Sequence, residues 1–500
     1  MSNKTNIIRK NFFLYNIFLS LIAAGCATMP STEKVSQDAK ILPRQAVLPL
    51  PNCNKEMECK EYWLAKPEID KKILTKKMIE EINKDTYKRG LLTDIFSDKL
   101  WDYKYREVER PEEVNPGGEE EIVEPEAYYS EGYLEDYTLY TFLKEETERI
   151  KAVTRWDENS KPISKIFFEK LDNNMNIGAI QTNNHISYAL TRRRSNLRYY
   201  PTDKIMTSKP GNINFDIIQV SSIRALQPVA ILHASKDEKW LFVVSAYCRG
   251  WIRRKNLITE CYPEEIKKVI NTTQRLVVIG HKIEAYWSLE AGEIAEFFYL
   301  GASLPFKKKY REYYEVLLPV SSWEGKIEYR LAYVKRGSKV KEGFLPCTER
   351  NIYSVGFDLL HTPYEWGGRG EYRDCSQLVM DLYATMGLAI PRNSGIQAKI
   401  GQQKITFKKE DSNYFRSEKL KTIKHPCLLQ LPGHIMLYLG CEGNNFYVLH
   451  DIWSYREKTD WAKDRRVIIG KVVVSDLSLG QGSNRGSLLE RLTTINLVRP

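Results

Sequence analysis

Five hundred residues exceed what one hydrophobic core organises, so the length asks for about three domains. A chain that is 42% hydrophobic and 28% charged is neither disordered nor membrane-embedded, and its thirty tyrosines and ten tryptophans suit small aromatic β-barrels or surfaces that hold sugars and peptides. The formal charge is +11, falling to +8 without residues 1–25, which hold Lys4, Arg9, Lys10 and no acid. Basic residues cluster at Arg192-Arg193-Arg194 and Lys307-Lys308-Lys309 with no nucleic-acid motif nearby. They read as solvated surface, and no nucleic-acid partner is expected.

The first element is a leader. Lys4, Arg9 and Lys10 precede a mostly apolar run, Phe12 to Ala24, too short to cross about 30 Å of hydrocarbon as a helix. It ends in Ala23-Ala24-Gly25-Cys26, which resembles a bacterial lipobox, so residues 1–25 are expected to be a lipoprotein signal peptide. The resemblance implies export, a lipid anchor on Cys26 and, with Ala27 next, placement at the outer membrane facing the periplasm. Plain secretory cleavage nearby is the alternative. Residues 26–70, polar and proline-containing, read as a tether, in which Cys53 and Cys59 are near enough to close a small disulfide loop. Residues 71–184 read as a partly helical N-terminal region. Leu74, Met78, Ile79 and Ile82 recur at helical spacing, and Pro111 to Asp136 is an acidic insertion with ten acids and no base.

From about residue 185 the pattern turns to short strands rich in branched and aromatic residues, such as Pro228–His233, Trp240–Ser245, Gly250–Ile252, Arg275–Ile279 and Tyr313–Leu318. Their number and spacing predict two small barrels, 185–264 and 265–345, divided near Cys261 to Lys268. Residues 346–500 then read as an α+β domain. Thr348 caps a helix with Ile352, Val355, Leu359 and Leu360 on its apolar face. The loop Trp366-Gly367-Gly368-Arg369-Gly370 leads to a helix from Cys375 to Met386 that Gly387 ends, and strands follow at His434–Leu439 and Phe446–His450.

Chemistry concentrates in that last domain. Asp374 is a plausible N-cap, which puts the Cys375 thiol in the first turn of a helix, where unpaired N–H groups and the positive dipole end favour a thiolate. A hairpin with the five-residue loop 441–445 would place His434 and His450 on one face of neighbouring strands, close enough for one imidazole to orient the other. A thiol, a base and an orienting group form a nucleophilic triad, while an inert buried cysteine and two separate structural histidines remain the plainer reading. Zinc bound by Cys375, His434, His450 and Asp451 would use suitable ligands, but the spacing matches no zinc motif, so neither metal nor cofactor is expected.

Pro363-Tyr364-Glu365-Trp366-Gly367-Gly368, Asp374-Cys375-Ser376, Pro391-Arg392-Asn393-Ser394 and Pro432-Gly433-His434 together resemble the NlpC-type family of peptidoglycan cysteine peptidases. The Gly482-Ser483 and Gly486-Ser487-Leu488-Leu489 tail, with Ser195–Arg198, Pro201-Thr202 and Gly250-Trp251-Ile252 upstream, looks like the branch with two SH3-like domains before the peptidase. The resemblance implies a papain-like fold in which Cys375 attacks, His434 takes its proton and His450 orients His434. It implies hydrolysis of the bond between γ-D-glutamate and a diamino acid, diaminopimelate for instance, in peptidoglycan stem peptides. Asp374, Ser376, Tyr364 and, by a looser match, Tyr247 would hold the substrate's amino end, favouring a free N-terminal L-alanine. A monomer is expected. A wall-binding lipoprotein without activity, and an amidase or acyl transferase on the same scaffold, are the competing expectations.

Overall fold

A computed structural model describes residues 42–97, 100, 139–180, 186–321, 327–460 and 463–500. The leader, Cys26 and the acidic insertion lie outside the described residues. Three seven-stranded sheets organise the rest, and helices are concentrated around the first and the last.

The C-terminal sheet has the order Arg44–Gln45, Arg465–Asp476, Asn445–Glu457, His434–Glu442, Leu428–Leu431, Thr494–Asn496, Lys404–Thr406. Ile435, Leu437, Leu439, Tyr447 and Leu449 turn one face of it toward the helices Glu349–Phe357 and Cys375–Ala384. Met436, Tyr438, Phe446 and Val448 turn the other toward Leu420, Leu488 and Leu492. Strict alternation thus gives a sheet covered on both faces, which is why its strands read as nearly continuous apolar runs. The Thr348 hydroxyl accepts the Asn351 N–H and caps the first of these helices as expected. The second ends at Ala384, two residues short of the expected end, and Gly387 beyond it has φ +81°.

The tether expected over 26–70 needs correction. From Arg44 onward the chain is part of the C-terminal unit: Arg44 and Gln45 pair in parallel with Val467 and Ile468, and Leu50, Met57, Trp63 and Ile69 are buried. Trp63 sits among Tyr62, Tyr353, Phe357 and Tyr447, with ring centroids 5.3–6.5 Å apart, and its Nε1–H donates to the Met57 carbonyl at 2.8 Å. An enclosed tryptophan of this kind typically contributes about 3–5 kcal/mol, which is enough to pin the segment. Cys53 and Cys59, near enough in sequence to bridge, are free thiols, directed at the carbonyls of Val474 and Lys55.

The region 71–184 also divides. Helix Lys76–Lys88, capped by Thr75, buries Ile79 and Ile82 in the C-terminal core, whereas Leu139–Lys151 and Lys165–Met175 pack Phe142, Leu143, Phe168 and Leu171 against Trp240, Phe242 and Trp251 of the first barrel-like sheet. That sheet uses strands from Ser187 to Cys261. The helix Pro263–Ile270 follows, and a second sheet uses strands from Arg275 to Glu342.

Candidate active site

Asp374 has extended backbone, and its Oδ1 accepts the Gln377 N–H at 2.9 Å, so the helix begins at Cys375. The thiol therefore stands in the first turn, 6% exposed, on a helix packed across the strands His434–Glu442 and Asn445–Glu457. Cys375 and Ile435, the neighbour of His434, belong to one buried cluster.

The two histidines meet. His434 Nε2 lies 2.8 Å from His450 Nδ1, and His450 Nε2 lies 3.0 Å from Ser475 Oγ. The hairpin achieves this differently from the expected five-residue loop. Glu442 pairs with Asn445 across the two-residue turn Gly443-Asn444, a register that would send the histidines to opposite faces. A β-bulge at Leu439 inserts one residue between the Tyr438–Val448 and Gly440–Tyr447 pairs and restores the common face. The Leu439 carbonyl accepts from Lys66 Nζ at 2.9 Å and from the Tyr353 hydroxyl at 2.8 Å. Gly440 has φ +136°, a backbone conformation that residues other than glycine rarely adopt. The segment read as a tether thus supports the bulge that aligns the pair.

Both rings are held neutral. Burial, then the charges of His450, Arg491 and Arg485, push the His434 pKa well below its ordinary value, and burial lowers His450 to about 3. An imidazole depressed in the native state makes the unfolded chain the stronger proton binder. The associated stability is therefore complete above about pH 6.5 and is lost as pH falls toward the folded values. Between pH 6 and 5 the two groups are expected to contribute a slope that rises from about 2 toward about 2.7 kcal/mol per pH unit. Denaturant midpoints measured across that range, with His450→Gln reducing the slope by about half, check this. An unchanged slope in the variant would exclude His450 as a contributor.

Asp374 is held by its own neighbours. Its Oδ1 also accepts the Ser376 hydroxyl at 3.2 Å, and its Oδ2 takes the Gly367 N–H at 3.0 Å and the Arg392 guanidinium. Both oxygens are thus engaged within the protein, by the helix start and by Arg392. Arg392 also donates to Ser376 Oγ at 2.5 Å and to Ser221 Oγ at 2.8 Å, which links this cluster to the first barrel-like unit. Sequence reasoning gave Arg392 and Ser475 no role. Ser475 interrupts the run Val472-Val473-Val474, and that interruption was the one available signal.

Tyr364 is buried, with its ring 6.3 Å from Phe215 and 6.0 Å from Trp453. Tyr247 is half-buried against the core that contains Cys375, and its hydroxyl accepts the Arg224 N–H at 3.4 Å. The barrel-like unit grips the glycine loop directly. Arg194 donates to the carbonyls of Gly368, Glu371 and Tyr372 at 2.6–3.0 Å, and Gln377 Nε2 donates to Ser222 Oγ at 2.7 Å. A Cβ on Gly368, whose φ is +59°, would meet Gln377 Oε1 at 2.0 Å. Arg224 reaches Asp381 on the Cys375 helix at 2.6 Å, and Arg373 reaches the same carboxylate at 2.8 Å.

Residues 361–457 match the NlpC/P60 family, and residues 207–253 match an SH3 domain of the SH3b1 type. A γ-D-glutamyl-L-lysine dipeptidyl-peptidase of Bacillus subtilis is 29% identical over 120 residues, which are 23% of this chain and 40% of that protein. The chain thus spans about two fifths of the length of the curated relative it matches. Among solved structures, an NlpC/P60 endopeptidase from Photobacterium damselae subsp. piscicida superposes with a TM-score of 0.69 at 18% identity, covering 92% of this chain and 99% of that one. An NlpC/P60 family protein from Bacillus cereus gives 0.43 at 16%, covering 63% of this chain and 100% of its own. The Photobacterium likeness establishes the shared fold.

Proposed function

From the premise that this chain carries an NlpC/P60 domain with an SH3b-type domain before it, we propose that it is an extracytoplasmic cysteine endopeptidase acting on peptidoglycan stem peptides. The observation that carries the reading is the 2.8 Å contact between His434 Nε2 and His450 Nδ1, on a sheet covered by the helix that Cys375 opens.

The contact defines tautomers. If His450 donates Nε2–H to Ser475 Oγ, its Nδ1 accepts Nε2–H from His434, and His434 Nδ1 is left as a lone pair for the thiol. Cys375 Sγ attacks the amide carbon while its proton passes to His434 Nδ1. The backbone N–H of Cys375 donates to the developing oxyanion, a type of contact whose loss costs about 3–4 kcal/mol. His434 then returns the proton to the leaving amine, and water repeats the cycle on the thioester. His434 stays hydrogen-bonded to His450 throughout, so no ring has to turn.

The bond proposed is γ-D-glutamyl–diamino acid, and the Bacillus subtilis relative is named for a γ-D-glutamyl-L-lysine linkage. Tyr364, Ser376 and Tyr247 are proposed to line the amino-side pocket, with Asp374 acting there through Arg392 and the helix cap. Preference for a free N-terminal L-alanine would then come from closure of that end by the barrel-like unit, whose Arg194 and Gln219 bond the glycine loop. Export with a lipid anchor at Cys26, at the outer membrane, belongs to the same proposal.

The test is digestion of L-Ala-γ-D-Glu-diaminopimelate and of its muramyl-linked counterpart, with fragments identified by mass spectrometry. The expected products are L-Ala-D-Glu and the free diamino acid, with kcat/KM at least tenfold higher for the free peptide. No cleavage, or cleavage at another bond, would overturn the reading.

A further inference from the structure

The second barrel-like sheet reaches the segment that leads into the nucleophile. Its turn Leu300-Gly301 approaches the helix that Cys375 opens. Leu300 is fully buried in the core that holds Cys375 and Val379, and a Cβ on Gly301, whose φ is +76°, would lie 2.8 Å from the Asp381 carbonyl oxygen. The same sheet takes hold of the three residues before Asp374. Lys282 Nζ and the Tyr299 hydroxyl donate to Glu371 Oε1 at 2.6 and 3.1 Å. His281 stacks on Tyr372, with ring centroids 5.0 Å apart and planes 9° apart, and its Nδ1 lies 3.1 Å from Arg373 Nη1. A guanidinium only donates, so the Nδ1 lone pair is the acceptor and the proton of the ring sits on Nε2. The ring is neutral: burial, then the charges of Arg373 and Arg194, opposed by Glu371 and reinforced by Lys282, lower its pKa to about 4.

Arg373 is 2% exposed, and its Nε donates to Asp381 Oδ2 at 2.8 Å, about two turns along the helix from Cys375. Asp381 Oδ1 takes Arg224 at 2.6 Å. One carboxylate thus faces two guanidinium groups with both its oxygens used, and Nη1 of Arg373 finds its acceptor in the uncharged His281 ring. We propose that His281 is a positioning residue for the nucleophile, its Nδ1 fixing the arginine two residues before Cys375; the inference rests on the peptidase reading above. His281 acts through Arg373 and not on the substrate. Held between Asp381 and His281, the Arg373 guanidinium has one resting place, and the chain enters the Cys375 helix at one angle. Loss of the second acceptor frees that approach. A nucleophile displaced by about 1 Å can lose about 10²-fold in rate, so a smaller shift at the helix start is enough to be read in kcat.

Two substitutions separate the acceptor from the ring. His281→Asn keeps an oxygen where Nδ1 stands and gives up the stack on Tyr372. His281→Phe keeps the stack and leaves Arg373 Nη1 facing carbon. Steady-state kinetics on L-Ala-γ-D-Glu-diaminopimelate, run well below the lowest Tm of the set, read the result. His281→Phe is expected to lose about tenfold or more in kcat with KM within about twofold, while His281→Asn stays within about threefold of wild type in both. A ring that serves only as packing gives the opposite order, with phenylalanine the better replacement. His281→Ala covers the case in which His281→Phe folds poorly: it lacks the ring as His281→Asn does, so those two differ in the acceptor, and His281→Asn should again have the higher kcat. Phenylalanine or alanine equal to asparagine in kcat, or a loss carried by KM alone, would overturn the positioning role and leave the peptidase reading standing. No cleavage by wild type would remove both.

Discussion

Replacing Cys375 with alanine is expected to abolish hydrolysis while leaving the protein folded. The helix start does not depend on the thiol, because Asp374 supplies the cap through Gln377 and the Arg392 pair holds Asp374 in place. Alanine is the better helix former, and the space left by one sulfur atom at the edge of a core costs little beside the lost chemistry. Without a nucleophile the remaining groups can bind and polarise the amide but cannot form a thioester. A loss of about 10⁴-fold or more in kcat is therefore expected. His434→Ala should be nearly as damaging, and Cys375→Ala/His434→Ala no worse than either single change, since the two act as one unit. His450→Ala should cost less, because His450 acts through His434. Stopped assays on a stem peptide, with circular dichroism to verify folding, decide it. Wild-type turnover in folded Cys375→Ala would end the cysteine-peptidase reading, and activity lost to a chelator and restored by zinc would replace it with metal chemistry.

What was legible in the sequence was local. Asp374, Cys375 and Ser376 announce a helix start because a cap needs only three or four residues of context, and Thr348 did the same for the helix before it. The histidines were placed on one face, but through the wrong hairpin. The expected five-residue loop and the actual two-residue turn plus bulge lead to the same parity. Gly440 within an apolar strand was a readable sign of a bulge. Its effect depends on Lys66, 373 residues from Leu439, and on Tyr353, 86 residues from it, and no local pattern connects them to it.

The segment 44–70 shows no such local pattern either, although it packs into the C-terminal unit. Leu50, Met57, Trp63 and Ile69 are spaced at six or seven residues amid prolines and charges, so they show neither the 3.6 nor the 2.0 period on which pattern reading rests. Each is buried because a site on the C-terminal unit accepts it, which is a property of the partner surface. Asp374 carries the same lesson in the site itself. A carboxylate beside a nucleophile invites a substrate role, and its pairing with Arg392 is not legible locally, because the sequence offers Arg392 only as one arginine eighteen residues downstream.

That pair sets the largest expected change in stability. Asp374 and Arg392 are 6% and 5% exposed, and between them they gather Gly367, Ser376, Gln377 and Ser221. Arg392→Met would leave a buried carboxylate with hydrogen bonds but no countercharge, a change that typically costs about 3–5 kcal/mol. It would also release the Ser221 contact that ties the barrel-like unit to the start of the Cys375 helix. Asp374→Asn in the same background removes the uncompensated charge, so the double variant should be more stable than Arg392→Met alone. Two substitutions that each harm the protein should thus harm it less together than their sum predicts. Denaturant unfolding of the four proteins at pH 7.5 gives the coupling. A value of about 2 kcal/mol or more is expected, and additivity within about 0.5 kcal/mol would show that the ion pair adds nothing beyond its separate hydrogen bonds. Activity provides a second readout: because Asp374 caps the helix that carries the thiol, restoring stability through the double variant should not restore full kcat. Recovery of both together would assign Asp374 and Arg392 to the scaffold alone.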